Sequence, residues 1–184
     1  MITVSSKILI IFGILILSFG GYLIFEHYTP KRLSFNNFRT SSVSGSRLPG
    51  RIIIPSLNID LAILPSKITN NKWEVTNQGI SYLSSSPSPG EKGNSILYGH
   101  NWTSLLGRLP KIKPGAEINI AFNNKERKTF IVEYVSVVDS HDTQVIANTN
   151  DKRITLYTCT GFLDSKRFVV TATLLSPIPK DQLR

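Results

Sequence analysis

Apolar and polar positions along this chain fall into two regimes. From Ile8 to Phe25 the run ILIIFGILILSFGGYLIF holds eighteen residues with no charge and no polar face. At about 1.5 Å per helical residue it covers roughly 27 Å, close to the hydrocarbon thickness of a bilayer. Beyond it the apolar positions recur mostly with period two, which predicts strands. Short strands are expected at residues 51–54 and 59–64, separated by Pro55. Others are expected at 94–98, 117–122, 128–138, 154–159 and 167–175, with 73–76 as an additional one and Asn123-Asn124 as a hairpin turn. Only residues 104–109 carry helical spacing. Seven or eight strands at this spacing predict an all-β domain, a closed or nearly closed β-barrel, with a sandwich as the alternative.

These patterns divide the chain into a short N-terminal segment (1–7), a membrane anchor (8–25), a stalk (26–50), a folded domain (51–176) and a tail (177–184). The stalk is polar and Ser-rich, ending in Pro49 and Gly50, as a flexible tether would be. A cleaved signal peptide is the rival reading for the first segment, since Lys7 provides a weakly positive start. The run ends in Tyr22, Leu23, Ile24, Phe25 and Glu26 without a small-x-small cleavage pattern, which favours an uncleaved anchor. Lys31 and Arg32 follow the span, so flanking charge does not fix its orientation.

Composition narrows the chemistry. A single Cys excludes a disulfide framework, a thiol redox pair and a multi-cysteine zinc site. The 21 Lys and Arg exceed the 12 Asp and Glu to give +9, an excess that suits an anionic partner. Only Lys125-Glu126-Arg127-Lys128 is clustered, so a nucleic-acid interface has little support.

The lone thiol sits in an informative place. Strand alternation puts Ile154, Leu156 and Thr158 on one face and Thr155, Tyr157 and Cys159 on the other. On the following strand Phe168, Val170, Ala172 and Leu174 share a face, and Arg167, Val169 and Thr171 share the opposite one. If the apolar faces meet in the core, a hairpin closed by Thr160 to Lys166 sets Cys159 roughly opposite Arg167 on an open face. A nearby cation favours the nucleophilic thiolate, and a guanidinium suits a developing oxyanion. A cysteine nucleophile usually works with a histidine. His27 abuts the apolar run and His141 lies in the polar stretch Asp139-Ser140-His141-Asp142, whereas His100 follows a strand and Gly99, at a barrel rim. Each residue has an ordinary alternative: a lone Cys is more often a small buried hydrophobe, and a neighbouring Arg a surface residue.

Taken together the residues resemble a known family. Thr155-Leu156-Tyr157-Thr158-Cys159 is similar to the TLxTC signature of sortases, with Arg167 where their arginine follows. Gly93-Asn94-Ser95-Ile96-Leu97-Tyr98-Gly99-His100-Asn101 resembles their histidine segment. Gly50-Arg51-Ile52-Ile53-Ile54-Pro55, residues 105–109 and Lys113-Pro114-Gly115-Ala116-Glu117-Ile118 agree, so the likeness spans about residues 49–176. It implies an eight-stranded barrel and a membrane-anchored cysteine transpeptidase that cleaves an LPxTG-like sorting motif and passes the acyl group to an amine. The N-terminus is then inside and the domain extracytoplasmic. By position Cys159 is the nucleophile, His100 the general acid and base, and Arg167 the group that holds substrate and stabilises the oxyanion. Thr158 is expected to support the oxyanion. Thr155, Tyr157, Asn101 and Val169 are expected near substrate, with the loop at 139–153 forming part of the groove.

The implied partners are secreted proteins with a C-terminal sorting signal and an amine of the peptidoglycan precursor. No cofactor or metal is expected, because Glu91, Asp139, Asp142 and Asp151 are too scattered for the calcium cluster of some class A members. Neither an N-terminal Asp-Pro-aromatic plug nor a C-terminal membrane helix is visible, which favours a class A, D or E type over a pilin-polymerising one. Only seven residues separate Cys159 from Arg167, fewer than in several family members. A papain-like peptidase is disfavoured because His100 precedes Cys159, and an L,D-transpeptidase because Tyr-Thr-Cys replaces His-Gly-Cys. The non-enzymatic alternative is a surface β-domain that binds anionic wall polymers through the +8 left outside Lys7.

Overall fold

A computed structural model of the protein describes residues 6–27, 48–69 and 72–175. Most of the expected stalk and all of the expected tail lie outside them. The apolar N-terminal run forms α1 (Ser6–His27), 22 residues long. None of the Ile8–Phe25 stretch is buried against the rest of the protein, and the helix is long and apolar enough to cross a membrane. A helix satisfies every backbone polar group internally, as such a crossing requires.

The domain is a closed barrel of eight strands. β1 (Pro49–Ile54) and β2 (Ile59–Ser66) pair antiparallel around a 3₁₀ turn at Pro55–Leu57. Asn58 ends that turn in the left-handed conformation at φ 51° and donates its N–H to the Pro55 carbonyl at 3.1 Å. A two-stranded ribbon follows, β3 (Ile68–Thr69) with β4 (Lys72–Trp73). The barrel continues with β5 (Ile80–Leu83), β6 (Gly93–Tyr98), β7 (Glu117–Phe122), β8 (Arg127–Asp139), β9 (Lys152–Thr160) and β10 (Lys166–Leu174). Neighbours run β1-β2-β5-β6-β9-β10-β8-β7, and β7 returns to β1. All pairings are antiparallel except β2 with β5 and β6 with β9.

Three local expectations change. β5 escapes period-two reading because all four of its residues are buried, so both faces are covered and no alternation marks it. The strand expected at 73–76 shrinks to Lys72–Trp73. The helix expected at 104–109 is instead a series of turns leading into a 3₁₀ helix at Leu109–Lys111. Its hydrogen bonds span three residues, as in Leu105 to Trp102, Leu109 to Leu106 and Ile112 to Leu109. Gly107 and Pro110 both disfavour a regular helix there.

Alternation sorts the side chains into two apolar layers. Ile52, Ile54, Leu97, Ile118, Ile120, Phe130, Leu156 and Val170 fill the barrel interior. Each such side chain contributes roughly 1.5–3 kcal/mol of burial. The second layer lies on the other face of the β6–β9–β10 wall and comprises Trp73, Leu83, Ile96, Tyr98, Ile146, Tyr157, Cys159 and Val169. The thiol therefore belongs to the outer layer, as strand parity predicts. That face is not open, however: Trp73 of β4 and Ile146 of the connection preceding β9 pack in the same layer.

Candidate active site

Two strand pairings assemble the site. In the antiparallel β9–β10 pair, Cys159 stands directly opposite Arg167. In the parallel β6–β9 pair the last rung joins Tyr98 to Tyr157, and His100 and Cys159 each follow two residues later. Two hydrogen bonds keep those strand ends level: Gly99 N–H donates to the Tyr157 carbonyl at 3.3 Å, and Thr158 Oγ1 donates to the Gly99 carbonyl at 2.8 Å. Cysteine, arginine and the histidine backbone thus converge on one rim of the barrel.

The segment after β6 is folded tightly around His100. The Leu106 N–H donates to the His100 carbonyl at 3.0 Å, while Leu105 and Gly107 donate to the Trp102 carbonyl at 2.9 and 2.8 Å. The Trp102 indole stacks on the imidazole, with centroids 4.4 Å apart and planes within 6°. Gly107 permits this fold, since a Cβ there would meet the Asn101 carbonyl oxygen at 2.6 Å and that of Trp102 at 2.8 Å. Gly107→Ala is expected to lower stability by roughly 1–3 kcal/mol, as overpacking does. Denaturant unfolding checks this, and an unchanged midpoint would mean that the loop yields without cost.

Arg167 is only 3% exposed, and its Nη1 donates to the carbonyls of Asp164 at 2.9 Å and Lys166 at 3.0 Å. The short β9–β10 connection makes this possible by turning sharply: Gly161, Leu163 and Asp164 have φ of 80°, 50° and 58°. Asn101, next to His100, donates from Nδ2 to Asp164 Oδ1 at 3.1 Å.

Beneath the thiol lies an aromatic layer. Tyr98 and Tyr157 are fully buried and stacked at 5.5 Å, and Trp73 packs edge-on against them at 5.0 and 6.1 Å. Tyr98 Oη lies 2.7 Å from Ser66 Oγ and donates to the Glu74 carbonyl at 2.6 Å. Burial pushes the Tyr98 phenol up to about 12. Burial also holds Tyr157 well above its ordinary value, with a smaller push from Tyr98 and from charge on Cys159 and an opposing pull from Arg167. Both phenols stay neutral at physiological pH.

The other expected residues occupy distinct places. Thr158 points to the core face with its hydroxyl engaged on the Gly99 carbonyl, so it ties the cysteine strand to the histidine strand. Thr155 and Tyr157 are fully buried. Thr155 Oγ1 donates to Asn94 Oδ1 at 2.8 Å, and the Asn94 amide donates to the carbonyls of Ala147 at 3.1 Å and Val145 at 3.4 Å. This network pins the connection before β9, within the expected groove segment, against the wall. Val169 packs beside Cys159 in the outer layer. Trp102 and Asp164 went unrecognised in the sequence, where each is one polar or aromatic residue in an irregular segment. Among the described residues, no three His, Cys, Asp or Glu side chains gather as metal ligands would.

Residues 52–175 match the sortase domain, and the chain belongs to the sortase family. It is similar to sortase A of Bacillus anthracis, at 30% identity over 139 residues that cover 73% of this chain and 63% of that protein. It is similar also to sortase A of Listeria monocytogenes, at 31% identity over 68% of this chain and 55% of that protein. The chain therefore spans less than two thirds of the length of these curated relatives. The lid mutant of sortase A from Corynebacterium diphtheriae has the same barrel, with a TM-score of 0.61 and 26% identity over 76% of each chain.

Proposed function

We propose that the protein is a membrane-anchored cysteine transpeptidase that cleaves an LPxTG-like sorting motif and transfers the acyl group to an amine, that of a peptidoglycan precursor. The carrying observation is Cys159 directly opposite Arg167, with His100 two residues beyond the last rung that joins β6 to the cysteine strand. Family membership supports the reaction class and, with it, a barrel outside the membrane, and α1 is long and apolar enough to serve as the anchor.

In this reading the Cys159 thiolate attacks the carbonyl carbon of the scissile amide. The resulting oxyanion is stabilised by the Arg167 guanidinium, which two backbone carbonyls hold in place. Collapse breaks the C–N bond as the His100 imidazolium gives its proton to the leaving amine, and a thioester remains on Cys159. An incoming amine then attacks the thioester, its proton passes to His100, and thiolate and imidazolium are restored. Trp102 keeps the imidazole plane fixed through both transfers.

The test is mass spectrometry of the full chain in detergent with LPxTG-like and LAxTG-like peptides, with and without an added amine. A peptide adduct on Cys159 and an amine-dependent ligated product are expected. Absence of adduct and of cleavage with every peptide would overturn the reading in favour of a sortase fold used for binding.

A further inference from the structure

Asp164 makes contacts that the proposed chemistry leaves unused. Its backbone and that of Leu163 are left-handed, a conformation that residues with a Cβ adopt rarely and that persists only where the surroundings enforce it. Apolar packing does not enforce it here, since Phe162 is 85% and Leu163 49% exposed. Polar contacts remain. The Asp164 carbonyl accepts from Arg167 Nη1 at 2.9 Å, and its Oδ1 accepts from Asn101 Nδ2 at 3.1 Å. Asn101 is 63 residues away in sequence and immediately follows His100. One residue therefore touches the arginine of its own hairpin and the neighbour of the histidine in the segment after β6.

We infer that Asp164 is a positioning residue that sets two catalytic groups against each other. Its carbonyl, turned by the left-handed backbone, aims the Arg167 guanidinium. Its carboxylate, through Asn101, clasps the His100 segment to the same hairpin. This rests on the proposed roles of His100 and Arg167 and deepens them. The seven-residue connection is what makes the clasp effective, because a longer loop would let Asp164 move without moving Arg167.

Three variants of the full chain separate the clasp from general structure. Asn101→Ala removes the donor. Asp164→Gly removes the carboxylate yet keeps a residue at ease in the left-handed region, with its carbonyl still available to Arg167. The exchange Asn101→Asp with Asp164→Asn re-forms the bond with donor and acceptor reversed, and Asn also tolerates the left-handed backbone. Each single variant is expected to lower kcat about tenfold with KM changed less than about threefold, as sub-ångström misplacement of catalytic groups does. Combining Asn101→Ala with Asp164→Gly should cost no more than either alone. Amide hydrogen exchange should rise in residues 160–166 for Asn101→Ala and in residues 100–107 for Asp164→Gly. The exchange variant should restore both readouts. Unchanged kcat and exchange in the single variants, additive losses in the double variant, or failure of the exchange variant to recover would each overturn the inference. If the wild type forms no peptide adduct while the exchange coupling and its rescue persist, the clasp stands and the proposed reaction falls.

Discussion

Cys159→Ala is expected to give no peptide adduct and to cut turnover by at least about 10³-fold, with the barrel still folded. The side chain is 4% exposed and belongs to the outer layer, so its loss leaves the barrel interior of Ile52, Phe130, Leu156 and Val170 untouched. Removing one sulfur atom from a layer built on Tyr98, Tyr157 and Trp73 costs about 1 kcal/mol, small against a domain's stability. His100→Ala should fall comparably, because in the proposed mechanism thiol activation and leaving-group protonation both pass through that ring. Trp102 and the Leu106 hydrogen bond to the His100 backbone should keep the segment folded. The checks are adduct mass, turnover and far-ultraviolet circular dichroism on the same samples. Turnover surviving in Cys159→Ala would move the nucleophile elsewhere and remove the thioester from the mechanism.

Arg167→Lys should be nearly as damaging, although it keeps the charge. The guanidinium is buried, and one of its nitrogens already bonds two backbone carbonyls while the residue faces Cys159. Its planar fork allows several fixed donors at once, whereas a lysine ammonium is a strongly hydrated point charge on a flexible stem. Satisfying Asp164 and Lys166 would then leave no oriented donor for the oxyanion. Loss of one such donor typically costs about 10²–10³ in kcat. That loss, with KM changing much less, is the expected result of steady-state kinetics on a variant shown to be folded. Near-normal kcat would assign Arg167 to substrate holding or to structure alone.

How much of this was legible in the sequence depends on the element. Period-two alternation located β1, β2, β6, β7, β8, β9 and β10, and strand parity alone set Cys159 across from Arg167. β5 was invisible because ISYL is buried on both faces, and burial on both faces erases the pattern that reveals a strand. The openness of the cysteine face was misjudged for a related reason. Trp73 comes from a short expected strand and Ile146 from a polar connection, and nothing local in either says which surface the side chain will cover. Asp164 lay further out of reach, since its meaning comes from a hydrogen bond across 63 residues and from a backbone conformation set by the hairpin. Thr158 shows the opposite limit: its motif marked it as important, but parity turned it inward to Gly99 and away from the face that carries the thiol.

The parallel pairing of β6 with β9 has a kinetic side. Gly99 and Thr158, which bridge it, are 59 residues apart, and β7 and β8 lie between them in sequence. Contacts that close so large a loop come late in folding, after local hairpins such as β7–β8 have formed. A half-collapsed chain can already hold Arg167 opposite Cys159 in the local β9–β10 hairpin, but it lacks the His100 segment, which arrives only with the β6–β9 pairing. The proposed site is therefore complete only once the barrel has closed, and the histidine is the last of its three groups to be placed.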